Sequence, residues 1–171
     1  KPIAFYFGAG YTIRFMGGVT ALAGVVYKNF DLQLSYTFGL TSSDDLRWYS
    51  IDGNDNYLSS VNYMRSTLAA KFGYQIELTE RFGVTPQIGY EIERLTGTLS
   101  EGTNLYGDGA SANCLSFGAK MIFAPIQRLY LFAAPTYSIG MSKDDNFQKI
   151  EENSDLTAGG FMMSLGAILN F

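Results

Sequence analysis

Apolar and polar residues alternate along most of this chain with a period of two, the pattern of strands with two unlike faces. In 3–14 (IAFYFGAGYTIR), Ile3, Phe5, Phe7, Ala9, Tyr11 and Ile13 fall on one face. Ala4, Tyr6, Gly8, Gly10, Thr12 and Arg14 fall on the other. Residues 31–40 set Leu32, Leu34, Tyr36, Phe38 and Leu40 against Asp31, Gln33, Ser35, Thr37 and Gly39. The same alternation runs through 64–77, 83–93, 114–124, 129–140 and 160–171. Residues 19–28 also read as a strand, with a glycine and valines that leave its facing open. These segments predict eight strands of about ten to twelve residues. A tilted strand needs about 9–11 residues to cross a bilayer, and the usual soluble strand has about 5–6.

The connections alternate in length. Those at 28–31 (KNFD), 78–82 (LTERF) and 125–128 (PIQR) are short, while those at 41–63, 96–112 and 142–157 are long and polar. On the long side only the first connection, near Met16–Gly18, is short. Short turns at one end and long loops at the other predict an all-β, up-and-down antiparallel barrel of eight strands crossing a membrane, with short periplasmic turns and longer extracellular loops. The hairpins echo one another: TLAAKFGYQIELTERFGVTPQIGY resembles CLSFGAKMIFAPIQRLYLFAAPTY further along. This weak repetition fits one hairpin per repeat, and 1–171 is taken as a single domain.

A soluble ligand-binding barrel would alternate too, so the contents of the two faces decide between the readings. On the seven assigned strands the apolar face has no charged residue and one serine, Ser66. It is also too aromatic to fit inside eight strands, a barrel just wide enough for side chains to fill. The opposite face is rich in Gly, Thr and Ser with a few charges of both signs, which suits a cramped interior better than a solvated surface. The apolar face therefore points to lipid.

Composition narrows the chemistry. The 171 residues include 19 Gly, 15% aromatics and only 16% charged residues, too apolar for disorder. No apolar run reaches the roughly 18 residues of a membrane-spanning helix. The single cysteine, Cys114, excludes an intrachain disulfide and a cysteine zinc site. It falls on the inward face as a small filler. The absence of His removes His-based catalysis and His-ligated metals. The net charge of −4, with no basic stripe, argues against nucleic acid.

Seven charges fall on the inward face: Arg14, Arg65, Lys71, Glu77, Glu91, Glu93 and Lys120. A turn near residue 80 brings position 65 opposite 95 and 71 opposite 89. Arg65 and Lys71 then lie diagonally across from Glu91 and Glu93. Charges in a narrow lumen need partners. They are expected to form a structural network that fills the barrel; a gated pore or proton path is the functional alternative. Pro86 and Pro135 sit mid-strand in a barrel with no free edge, which predicts a bulge or a missing ladder bond at each.

The three long segments carry net charges of −3, −2 and −3, leaving the rest of the chain at +4. Trp48, Tyr49 and Tyr57 in the first are candidates for surface recognition, or for extending the strand pair above the bilayer. Asp52-Gly-Asn-Asp-Asn faintly suggests a calcium loop but lacks the spaced ligands and closing Glu of an EF-hand, and a solvated acidic loop is the simpler account. No metal or other cofactor is expected.

The chain ends FMMSLGAILNF, with Phe161, Leu165, Leu169 and Phe171 outward and the aromatic last. This closely resembles the terminal-strand signature of bacterial outer-membrane proteins, which the barrel-assembly machinery recognises. The whole chain looks like the small outer-membrane barrels of the OmpA/OmpX type. That resemblance implies the outer membrane of a Gram-negative bacterium, lipid and lipopolysaccharide as surroundings, and assembly-machinery contact during insertion. No signal peptide precedes Lys1-Pro2, so a mature or trimmed form is expected. The small barrel enzymes of the deacylase, palmitoyl-transferase and omptin types use a catalytic His, as the resemblance implies, and this chain has none. The expected function is therefore non-enzymatic: structural, adhesive, or an accessory subunit of an outer-membrane complex. Alternatives are a narrow porin-like channel, a His-free surface enzyme, or a soluble ligand-binding barrel.

Overall fold

In a computed structural model the chain closes into an antiparallel barrel of eight strands. The structure describes residues 3–14, 17–39, 42–51, 55–99, 104–145, 147–148 and 158–171. Side chains are described for these apart from 42–51, 55–63, 96–99 and 104–109. The strands are β1 (Ala4–Ile13), β2 (Gly18–Tyr27), β3 (Phe30–Gly39), β4 (Ser42–Ile51), β5 (Asp55–Tyr74), β6 (Ile76–Glu77), β7 (Phe82–Leu99), β8 (Asn104–Ile126), β9 (Leu129–Lys143) and β10 (Gly159–Asn170). The circuit runs β1-β2-β3-β5-β7-β8-β9-β10 and returns to β1. It closes through pairs from Tyr6–Asn170 to Ile13–Met163. Two strands lie outside the count of eight: β4 pairs with the outer half of β5, and the two-residue β6 continues β5 and pairs with β7.

Three strands are much longer than the expected ten to twelve residues. β5 has 20, β7 has 18 and β8 has 23. Much of what the polarity marks as loop at 41–63 and 96–112 is therefore paired strand. The segment LRWYSI mixes aromatic and β-branched residues, which favour a pleated surface, so hairpins continue beyond the apolar band. The periplasmic connections are tight. Lys28 and Asn29 both take positive φ (48° and 71°), as the two central residues of a hairpin turn matched to the strand twist do.

Both mid-strand prolines keep register, with no bulge at either. The ladder is interrupted instead. Between β8 and β9 the pairing passes from Gly118–Thr136 to Met121–Ala133 without a shift, skipping the positions beside Pro135. Pro86 faces the point where β5 gives way to β6: the pairing with β7 stops at Gly73–Gln87 and resumes in the same register at Ile76–Val84. A residue without an N–H leaves one bond unmade, and the neighbouring strand adjusts locally.

The faces are inverted relative to a soluble barrel. Outward side chains such as Phe5, Phe7, Leu34, Phe38, Leu131 and Phe161 are 46–63% exposed, a continuous apolar band that no water-soluble monomer presents. Aromatic residues gather toward its edges. At the periplasmic edge Phe30 stacks on Phe72 at 5.7 Å and meets Tyr74 edge-on at 5.3 Å. Strand β2, left unassigned by its composition, turns Gly18, Thr20 and Leu22 inward and Val19 and Ala21 outward. The interior holds a small apolar cluster of Tyr6, Leu22, Phe132, Ala134 and Ile168, scattered apolar side chains such as Leu95 and Met162, and many hydroxyls, amides and charges.

Candidate functional site

The inward charges sort into two groups along the barrel axis. Toward the outer end, Glu93 on β7 links two arginines. Its Oε1 accepts from Arg14 Nη1 at 3.0 Å, and its Oε2 from Arg65 Nη2 at 2.5 Å. Arg14 also donates to Thr67, and the Gly159 N–H reaches Glu93 Oε2 at 3.3 Å. The β5–β7 register explains the meeting. Arg65 pairs with Leu95 and Thr67 with Glu93, so the arginine and the carboxylate lie diagonally across one ladder. Arg14 arrives from the opposite wall at the top of β1.

Toward the periplasmic end, Lys120 on β8 reaches across to β1 and β3. Its ammonium donates to Asp31 Oδ2 at 2.6 Å, Gln33 Oε1 at 2.8 Å and the Tyr6 hydroxyl at 3.0 Å. The Tyr6 hydroxyl donates to Asp31 Oδ1 at 2.6 Å, and the ammonium also sits over the Tyr6 ring, 4.6 Å from its centroid. Tyr6 can lie across the lumen because Gly24 faces it: a methyl group at Gly24 would overlap the ring.

Between the groups runs a band of hydroxyls. Thr12 Oγ1 lies 2.6 Å from Thr20 and 2.8 Å from Ser164, and Thr20 lies 2.9 Å from Thr37. Glu91 accepts from Ser138 at 2.8 Å. Lys71 is buried opposite Gly89 and forms no ion pair among the described residues. A void of about 20 Å³ remains here, bordered by Lys71, Glu91 and Thr67, enough for a single water.

Two placements differ from the sequence expectation. Glu77 is exposed on β6 at the periplasmic rim, where the wall meets water, and it bonds to neither group. Asp31, placed on the polar face of 31–40 but not counted among the inward charges, is the first inward position of β3 and the anion of the lower group. Its place at the foot of the polar series Asp31, Gln33, Ser35 and Thr37 is the signal that marks it.

Cys114 is fully buried beside Glu91, its register partner. Phe161, Leu165, Leu169 and Phe171 all face outward, and Phe171 is tied by its N–H to the Phe5 carbonyl at 2.8 Å and edge-on to Phe7. The backbones of Trp48, Tyr49 and Tyr57 lie in the β4–β5 hairpin with Tyr49 paired to Tyr57, but their side chains fall outside the described residues. So do the side chains of the Asp52–Asn56 segment. Asp144, in the third acidic segment, has a local task. Its carboxylate accepts from the N–H groups of Ser111 (2.9 Å) and Phe147 (2.8 Å), joining the top of β8 to the start of the β9–β10 connection.

No family model and no curated protein matches the chain by sequence. Solved structures do match in shape. A major outer membrane protein from Thermus thermophilus aligns with TM-score 0.68 over 100% of both chains at 16% identity. The chain has the fold of the small outer-membrane β-barrels. Ail, the attachment invasion locus protein of Yersinia pestis, solved with the heparin analogue sucrose octasulfate, aligns at TM-score 0.57 and 13% identity. That alignment covers 99% of this chain and 97% of Ail. Neisserial surface protein A aligns at TM-score 0.55 and 11% identity, covering 98% and 94%. These likenesses in shape cover 98–100% of this chain.

Proposed function

We propose that the chain acts in a bacterial outer membrane as a non-enzymatic barrel with a plugged lumen, and that its outer hairpins make its contacts. The observation that carries this reading is the double crossing of the lumen. Arg14–Glu93–Arg65 bridges it near the outer end, Lys120–Asp31–Tyr6 bridges it near the periplasmic end, and a void of about 20 Å³ lies between them among the described residues. Eight strands leave no channel once side chains of this size fill the interior. Planar-bilayer recording of the purified protein tests this. A silent barrel is expected, and steady openings in the nanosiemens range overturn it.

With the lumen closed and no His in the chain, contact surfaces are what is left to act. β5, β7 and β8 carry the barrel wall well past the apolar band, and the outer segments have a net charge of −8. That charge disfavours polyanions, so this chain is expected not to retain sucrose octasulfate, the heparin analogue in complex with Ail. Gentle-detergent purification from native membranes separates the remaining roles. A stoichiometric companion supports an accessory subunit, and a barrel that purifies alone supports an independent surface protein.

A further inference from the structure

The lumen is not filled at its periplasmic end. Below the Lys120 group lies a cavity of about 260 Å³, reached past the Lys28–Asn29 turn and the end of β10 at Asn170. Its two sides differ. Ala4, Val26, Ile122 and Ile168 give an apolar wall, with the rings of Tyr6 and Tyr130 at its margins. Opposite stand the amides of Asn29 and Gln75 and the carboxylate of Glu77. The floor is the Lys120–Asp31 pair.

Three features define what fits. First, the lining charges cancel, with Lys28 and Lys120 against Asp31 and Glu77, so neither an anion nor a cation is favoured. Second, the rim offers donors and acceptors side by side, which suits groups that both give and take a hydrogen bond. At the floor the three ammonium hydrogens are already taken by Asp31, Gln33 and Tyr6, so the pair presents mainly carboxylate lone pairs to a visitor. Third, the volume is below the roughly 300–1,000 Å³ of drug-sized pockets, so the occupant is small.

We propose that this cavity is a periplasm-facing binding site for a small, neutral, hydroxylated ligand of monosaccharide size, its apolar face against Val26, Ile122 and Ile168 and its hydroxyls toward Gln75, Glu77 and Asp31. A pyranose ring has that two-sided character, and aromatic margins such as Tyr6 and Tyr130 suit a ring with one C–H face. The closed lumen above makes the site a blind pocket, reached only from the periplasm.

The test is an amide NMR titration of the refolded protein in zwitterionic micelles. N-acetylglucosamine is the neutral probe, with glucosamine and glucuronate as cationic and anionic counterparts. Saturable shifts are expected around Asp31, Gln75 and Lys120, with a Kd of about 1–10 mM for so small a ligand. Ala4→Trp, which fills the mouth, should abolish them. Should Ala4→Trp not fold, Gln75→Ala/Glu77→Ala changes only rim side chains and should weaken binding at least about fivefold, the loss of one or two modest hydrogen bonds. Three results overturn the proposal: no saturable shift with the neutral sugar, affinity unchanged in the rim variant, or a charged counterpart binding as tightly as the neutral one.

Discussion

Replacing Lys120 with Met removes the ammonium from the lower group while keeping most of the side chain's length and apolar stem. Three hydrogen bonds go with it, to Asp31 at 2.6 Å, Gln33 at 2.8 Å and Tyr6 at 3.0 Å, together with the cation placed over the Tyr6 ring. Asp31 keeps the Tyr6 hydroxyl as a donor, and its side chain is 3% exposed at the head of the periplasmic cavity, so water replaces the lost partner only in part. Removing one member of a buried pair costs about 3–5 kcal/mol, because the other charge stays buried without compensation. Lys120→Met is expected to lose that much unfolding free energy. Lys120→Met/Asp31→Asn removes the orphaned charge and should recover to within about 1 kcal/mol of the starting protein, since replacing a whole buried pair is often close to neutral. Urea unfolding in micelles, followed through the single tryptophan, Trp48, measures both variants and their coupling. A single-variant cost below about 1 kcal/mol would refute the argument, because a loss that small is what solvent-screened pairs show. The lower group would then be as well hydrated as a surface pair, and its part in closing the lumen would fall.

Leu131→Arg places a charge in the lipid-facing band and should destabilise insertion by about 2–4 kcal/mol in vesicle refolding titrations; a neutral result would mean the faces are reversed. Gly24→Ala forces the Tyr6 ring aside and should cost about 1–3 kcal/mol in the same urea assay, the usual penalty of overpacking. The Cys114 thiol, fully buried in the lumen, should resist maleimide in the folded barrel and react completely in urea, and fast labelling of folded protein would contradict the closed interior. Phe171→Ala should lower the amount of barrel assembled in cells while leaving refolding into vesicles nearly unchanged, as expected if the terminal aromatic is read by the assembly machinery. Equal losses in both assays would make Phe171 a stability residue instead.

The architecture was legible because the period of two is unbroken over so much of the chain. A one-residue slip in any strand would send Phe7 or Leu34 inward and Gly8 or Gln33 to lipid, so facing and register are fixed by the same residues. The pairing of positions 65 with 95 and 71 with 89 could be counted from a single turn for this reason. Strand length was less legible, because polarity was taken to end a strand. Beyond the apolar band both faces meet water, so the hydrophobic contrast fades while backbone pairing continues, as in β4 and the outer half of β5.

The lower charge group shows where counting along single strands stops being enough. Arg65 and Glu93 are near neighbours on one ladder, so the register alone brings them together. Lys120, Asp31 and Tyr6 sit on β8, β3 and β1 and meet only because the barrel is closed and narrow. Their contact is fixed by diameter, which no sequence separation encodes. The same reasoning explains why Glu77 stays out of both groups: it has the inward parity of its strand, but it stands at the exposed periplasmic rim, below the level of the Lys120 group. Parity says which way a side chain points. Height along the axis decides what it meets, and the periplasmic cavity lies where the lower of the two paired charge groups stops short of the rim.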